Sequence, residues 1–149
     1  MCYLLERGMR TLHARMPILA SNSSEIARRL EGHSAIVSVN HPSLPSFADY
    51  EVAKRIAPKG TGMLSFAVKG GDESAMRFIR ALEIIFEATS LGGIESLVTC
   101  PFNTSHMFVP EEVRLEAGII PGFVRMSIGL EDVEDLWSDI EQALIESQL

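Results

Sequence analysis

The chain is 149 residues long, 46% hydrophobic and 22% charged, with thirteen basic against twenty acidic side chains and a net charge of −7. A chain of this size buries roughly 68–70% of its unfolded surface, enough for one cooperative core over residues 1–149 without disulfides or a structural metal, and its composition excludes disorder. The charge has the wrong sign for a protein that gains affinity by neutralising phosphates, which excludes nucleic acid as a partner.

No apolar run approaches the ~20 residues of a bilayer span, so no membrane association is expected. Met1-Cys2-Tyr3-Leu4-Leu5-Glu6-Arg7 lacks the basic lead and long apolar stretch of a signal peptide. A cytoplasmic protein is expected. Cys2 and Cys100 stand far apart without a C-x-x-C spacing and read as reduced thiols. His13, His33, His41 and His106 form neither an H-x-x-x-H pair nor a Cys/His cluster, so no metal site is expected.

In chain order, Leu4, Leu5, Met9, Leu12 and Met16 recur at mixed spacings of three and four, which predicts an amphipathic helix over about 3–16 that Pro17 kinks or ends. Ser21-Asn22-Ser23-Ser24 offers N-caps for a second helix, whose Ile26, Ala27 and Leu30 form an apolar stripe before Gly32. An apolar stripe already running at an uncapped start is expected of a piece that packs on something larger. Ile36-Val37-Ser38-Val39 reads as a strand entering a turn-rich loop. Met63 to Val68 alternates, placing Leu64, Phe66 and Val68 on one face of a second strand.

Asp72 is a candidate cap for a helix carrying Ala75, Ile79 and Leu82, and Ile84-Ile85-Phe86 forms a further apolar run. Pro110 at a first helical position, Glu111-Glu112 behind it and Gly118 as a stop outline a short helix. Phe123 to Ile128 is a strand with Val124, Met126 and Ile128 on one face and Arg125 and Ser127 on the other. From Glu131 onward, Val133, Leu136, Trp137, Ile140 and Leu144 trace the last helix, with acids at its dipole-positive end. Strands and helices alternate as in a single sheet covered on one face by helices, an α/β fold built as an α+β two-layer sandwich.

Arg125 is the most informative side chain. A guanidinium in mid-strand between apolar residues keeps its charge and has to find an anion or a group of carbonyls. An internal Arg–Glu pair and bidentate capture of a small-molecule carboxylate both satisfy that demand. Ser90-Leu91-Gly92-Gly93-Ile94-Glu95-Ser96 is the second feature. It reads either as a plain turn or as a nest of backbone amides for an anion.

The ordered set Arg7-Gly8-Met9-Arg10-Thr11-Leu12-x-x-Arg15-Met16, His41-Pro42-x-Leu44, Gly62-Met63-Leu64-Ser65-Phe66, Ser90-Leu91-Gly92-Gly93-x-Glu95-Ser96-Leu97, Val109-Pro110-x-Glu112-x-Arg114, Gly118-Ile119 and Val124-Arg125-x-Ser127-Ile128-Gly129-Leu130-Glu131-Asp132-x-Glu134-Asp135-Leu136 spans nearly the whole chain. It resembles the C-terminal part of the cystathionine γ-synthase, cystathionine γ-lyase and methionine γ-lyase family, pyridoxal-phosphate enzymes of sulfur amino acid metabolism.

The resemblance implies the C-terminal small domain of a fold-type I pyridoxal-phosphate-dependent transferase. Residues 1–32 would be leading helices packed on a large cofactor-binding domain, and residues 33–149 the sheet with its helices. It implies that Arg125 binds the substrate α-carboxylate and that Ser90 assists, with Thr89 and Leu91 flanking Ser90 in the substrate-binding set. In relatives the position of Thr89 is often glutamate or valine, a departure that leaves the reaction open. Cys100 stands where many relatives carry a histidine, and His106 keeps a histidine position.

Pyridoxal phosphate is the implied cofactor, an amino acid the implied substrate, and a homo-oligomer or an association with a large cofactor domain the implied assembly. The implied chemistry is γ-elimination or γ-replacement on sulfur or homoserine-derived amino acids. Lys54, Lys59 and Lys69 lie outside the family's Ser-x-Thr-Lys setting, so the chain alone is expected not to hold the cofactor covalently and no residue of it is assigned a catalytic role. A truncated, non-catalytic remnant that binds an amino-acid carboxylate or associates with full-length relatives is the alternative.

Overall fold

The computed structural model describes residues 2–58 and 60–149. Met1 and Lys59 lie outside them. The elements are helix α1 (Cys2–Met9), α2 (Leu12–Glu31), strand β1 (Ile36–Asn40), α3 (Tyr50–Ile56), β2 (Met63–Val68), α4 (Gly71–Ala81), β3 (Phe86–Glu87), β4 (Leu97–Thr99), a 3-10 turn (Pro101–Asn103), α5 (Glu111–Glu116), β5 (Phe123–Ser127) and α6 (Val133–Ser147). The strands form one five-stranded sheet in the order β1-β2-β5-β4-β3. All neighbours are antiparallel except β3 and β4.

Alternation along the strands sorts the two faces. Leu64, Phe66, Val68, Val98, Val124 and Met126 point into the core, where Ile26 and Leu30 of α2, Phe78 and Ile79 of α4, and Leu136, Ile140 and Leu144 of α6 meet them. Phe66 and Phe78 pack edge to face with ring centroids 5.6 Å apart. The three long helices α2, α4 and α6 all supply residues to this core. On the other face Asn40, Ser65, Arg125 and Thr99 lie in register across four strands.

Two sequence expectations give way to tertiary burial. Pro17 lies inside α2 and ends nothing, because the burial of Leu19, Ala20, Ile26, Ala27 and Leu30 outweighs one lost i→i−4 bond near the start of a twenty-residue helix. Ser21-Asn22-Ser23-Ser24 is likewise mid-helix and caps nothing. Its polar groups act as clamps instead, with Asn22 Nδ2 donating to the Gly129 and Glu131 carbonyls at 3.3 and 2.9 Å and Ser23 Oγ donating to the Thr61 carbonyl.

α4 is capped by Gly70 and not by Asp72. The Asp72 carboxylate accepts the Gly122 N–H at 2.7 Å, fastening α4 to the turn before β5. Gly122 has φ +83°, and a Cβ there would lie 2.4 Å from the Val68 carbonyl oxygen, so only glycine fits this turn. Pro110 occupies the cap position before α5, one residue earlier than expected.

The Ile84–Phe86 run contributes only the short β3, and β4 at Leu97–Thr99 is a strand that local patterning did not announce. α6 is capped by Asp132, which accepts the Glu134 N–H at 2.8 Å. Arg29 joins α2 to α6 through Glu134 at 2.9 Å and lies 5.5 Å from the Trp137 ring. Together with Arg28 it holds the Glu25 carboxyl down at about 2, Arg28 being the larger influence. Among the described residues no helix is long and apolar enough to cross a membrane.

Candidate functional site on the open sheet face

Arg125 sits on β5 between β2 and β4, directly opposite Ser65 on one side and Thr99 on the other. Its Nη2 donates to the main-chain carbonyls of Thr89 and Ser90 at 2.9 and 3.1 Å. Its Nε is buried with no hydrogen-bond partner. Among the described residues Arg125 enters no ion pair. The internal Arg–Glu pair that the sequence left open is therefore absent, and the charge is held by dipoles while staying available to an anion.

Beside Arg125 opens a cleft of about 480 Å³ whose walls include Asn40, Thr61, Ser65 and His106 together with Phe47 and Met63. Among the described residues no aspartate, glutamate or lysine lines it. A cleft with a guanidinium, several neutral polar groups and an apolar remainder suits a small organic anion with an apolar chain.

The loop over Arg125 turns two carbonyls, those of Thr89 and Ser90, to the guanidinium. Gly92 adopts φ +74°, and its N–H is committed to Ser127 Oγ at 2.9 Å. Thr89, Ser90 and Leu91 are all exposed, so their side chains face outward from the fold at the rim of the guanidinium. Ser96 closes the loop, its N–H and Oγ donating to the two Glu131 carboxylate oxygens at 2.6 and 2.8 Å.

His106 lines the cleft, its Nδ1 2.8 Å from Ser105 Oγ. Cys100 points the other way, into the core, where burial above all, with the charges of Asp72 and Glu87, pushes its thiol up to about 12 and keeps it protonated. His41 supports the cleft from behind. Its Nδ1 accepts from the Ser43 N–H at 3.2 Å, which leaves Nε2–H to donate to the Thr61 carbonyl at 3.2 Å. Burial pulls its pKa below the usual histidine value.

Asn40, Ser65, Thr99 and Ser127 were not singled out as site residues from the sequence, although the alternation that exposes Arg125 also predicts the orientation of Ser127. The cross-strand register that gathers the others has no local signal.

A profile of the family described as "Cys/Met metabolism PLP-dependent enzyme" matches residues 1–145. The chain belongs to this family. It is 43% identical over 142 residues to the L-methionine γ-lyase of Pseudomonas deceptionensis, an alignment covering 95% of this chain and 36% of that protein. It is 42% identical over 143 residues to the cystathionine γ-lyase of Macaca fascicularis, covering 96% of this chain and 35% of that protein. The crystal structure of cystathionine γ-lyase from Lactobacillus plantarum complexed with L-serine superposes with a TM-score of 0.90 at 33% identity, covering 98% of this chain and 38% of that one. The chain thus spans little more than a third of the length of these Cys/Met metabolism enzymes. Its fold is that of a part of a fold-type I enzyme.

Pyridoxal phosphate is the cofactor of the family. Holding it takes a lysine for the Schiff base, a phosphate cradle and an acid facing the ring nitrogen. Lys54 lies 5.8 Å from the Tyr50 ring and Lys69 donates to the Ser34 carbonyl, both exposed and both off the cleft. With no acid among the described lining residues either, the cleft offers neither the lysine nor the acid that the reactive end of the cofactor takes.

Proposed function

We propose that this chain is the substrate-binding part of a pyridoxal-phosphate-dependent trans-sulfuration enzyme that carries out γ-elimination or γ-replacement on sulfur or homoserine-derived amino acids. The observation that carries the reading is Arg125: a cationic fork, turned by two carbonyls and, among the described residues, unpaired with any acid. Its role is geometric and electrostatic. Arg125 has no proton to give or take at neutral pH, and a bidentate grip on the α-carboxylate fixes the amino acid in one orientation. Ser90, whose hydroxyl lies one residue beyond the Thr89 carbonyl, supplies a second donor, and Thr89 and Leu91 shape the rim.

In this reading residues 33–149 form the C-terminal domain and residues 1–32 dock on a large cofactor-binding domain of a cytoplasmic, oligomeric enzyme. Support comes from α1, in which no residue is buried, and from Tyr3, Leu4, Leu5, Met9, Leu12 and Met16, all exposed apolar side chains at the same end. That no described lysine lines the cleft favours a second reading, a non-catalytic remnant that binds an amino-acid carboxylate or associates with full-length relatives.

The experiment is a titration of the ¹⁵N-labelled chain with L-methionine and with L-methioninamide, following the Arg125 Nε–H resonance. A saturable shift with the acid and none with the amide is expected. No response to the acid, or an equal response to both, overturns carboxylate recognition.

A further inference from the structure

Arg125 and Ser127 lie two residues apart on the same face of β5, and both fasten onto the loop that crosses them. Arg125 holds the carbonyls of Thr89 and Ser90. Ser127 Oγ accepts the Gly92 N–H at 2.9 Å, two residues further along the loop. The strand and the loop are thus paired at two points with matched spacing. Ser127 is 2% exposed, so its hydroxyl is enclosed, and the loop amide it holds belongs to a residue at φ +74°, a conformation that needs an external anchor to persist against the broader freedom of glycine.

Beyond Gly92 the loop is tied twice more. The Leu130 N–H donates to the Ile94 carbonyl at 2.8 Å, and Ser96 is gripped by Glu131 while its Oγ accepts the Gly129 N–H at 2.8 Å. From Gly92 to Ile94 the ties come from β5 and the segment just after it, and at Ser96 the Phe86 N–H of β3 joins them, donating to the Ser96 carbonyl at 3.2 Å. Between Gly92 and the Thr89 and Ser90 carbonyls that turn the guanidinium lies only Leu91. If Gly92 moves, those carbonyls move, and the free edge of Arg125 turns with them.

We infer that Ser127 is a positioning residue for the amino-acid site, acting through Gly92 and the Thr89 and Ser90 carbonyls to set the direction of the Arg125 guanidinium. The inference rests, for its effect on affinity, on the carboxylate reading above. Ser127 touches no substrate and carries no chemistry; it fixes the angle at which another residue meets the carboxylate, where a misplacement of about 1 Å is enough to weaken a bidentate contact.

The test compares wild type, Ser127→Ala and Ser127→Thr in the full ¹⁵N-labelled chain, with the Arg125 Nε–H resonance assigned by its loss in Arg125→Lys. L-methionine affinity and the thermal midpoint are measured for each. In Ser127→Ala the Arg125 Nε–H resonance is expected to move or broaden before any ligand is added, and affinity to fall about tenfold, the equivalent of one lost hydrogen bond to a charged group. Ser127→Thr, which keeps the hydroxyl, restores both, and the thermal midpoint of each variant stays close to wild type.

An unchanged Arg125 resonance and unchanged affinity in Ser127→Ala overturn the inference. A fall in affinity that tracks the thermal midpoint and is not rescued by threonine also overturns it. If wild type binds no L-methionine, the carboxylate reading fails; the ligand-free Arg125 resonance in Ser127→Ala then still decides whether Ser127 positions the guanidinium.

Discussion

The Arg125 guanidinium donates to the main-chain carbonyl of Thr89 at 2.9 Å, so the side chain is held in place without being neutralised. A carboxylate partner would have quenched the charge and made Arg125 part of the scaffold. Two carbonyl dipoles orient the fork and leave its net charge for an incoming anion.

That difference predicts what removal does to the fold. Deleting one member of a buried ion pair strands the other and is severely destabilising, by about 3–5 kcal/mol. No carboxylate is stranded when Arg125 is removed, and its neighbours Val124 and Met126 face the core unchanged. Arg125→Ala is therefore expected to shift the thermal midpoint by no more than about 4 °C, the effect of roughly 1 kcal/mol in a chain of this size. Circular dichroism melts of the two proteins check this.

His41 sets an acid limit on the cleft wall. Because burial depresses its folded pKa, the unfolded chain binds the extra proton more readily between the folded value and the ordinary one near 6.5, and stability falls as pH drops through that window. Urea midpoints measured from pH 7.5 down to pH 5 are expected to decline in wild type. In His41→Gln, which has no group titrating there, the decline over the same range is expected to be smaller.

The apolar side chains of α1 and the start of α2 are predicted to drive self-association despite the net charge. Tyr3, Leu4, Leu5 and Met9 are each more than 60% exposed on a helix that buries nothing. Sedimentation velocity is expected to show mass rising with concentration, and Leu4→Glu with Leu5→Glu to suppress the rise. A clean monomer at all concentrations for the unaltered chain contradicts this.

Mixing the chain with pyridoxal phosphate and then borohydride should leave no stoichiometric adduct on Lys54 or Lys69. Both side chains are exposed and neither lines the cleft, so no enclosed pocket holds the aldehyde against them. Peptide mapping of the reduced protein gives the answer.

The legible parts of this fold were those written in local periodicity. β2, β5 and α6 each carry an alternation or a helical stripe strong enough to place them, and the β5 alternation also exposed Arg125. What stayed hidden depended on partners distant in the chain. Asn22 and Ser23 look like caps because they are short polar residues, and become mid-helix clamps only because Gly129, Glu131 and Thr61 lie against them. β4 is three buried residues with no polar alternation to mark it. Ser127 gains its role from a hydrogen bond 35 residues back along the chain, which no window of neighbouring residues contains.

The central claim is that Arg125 recognises the amino-acid carboxylate, and titrating wild type, Arg125→Lys and Arg125→Ala with L-methionine tests it most directly. The loss of a charge-assisted pair, about 1.5–3 kcal/mol, predicts affinity roughly tenfold to a hundredfold weaker in Arg125→Ala. Arg125→Lys should recover only part of this, because a point charge cannot make two parallel hydrogen bonds. Equal affinity in wild type and Arg125→Ala, with the alanine variant instead losing its fold, would show that Arg125 is a structural residue and contradict the account.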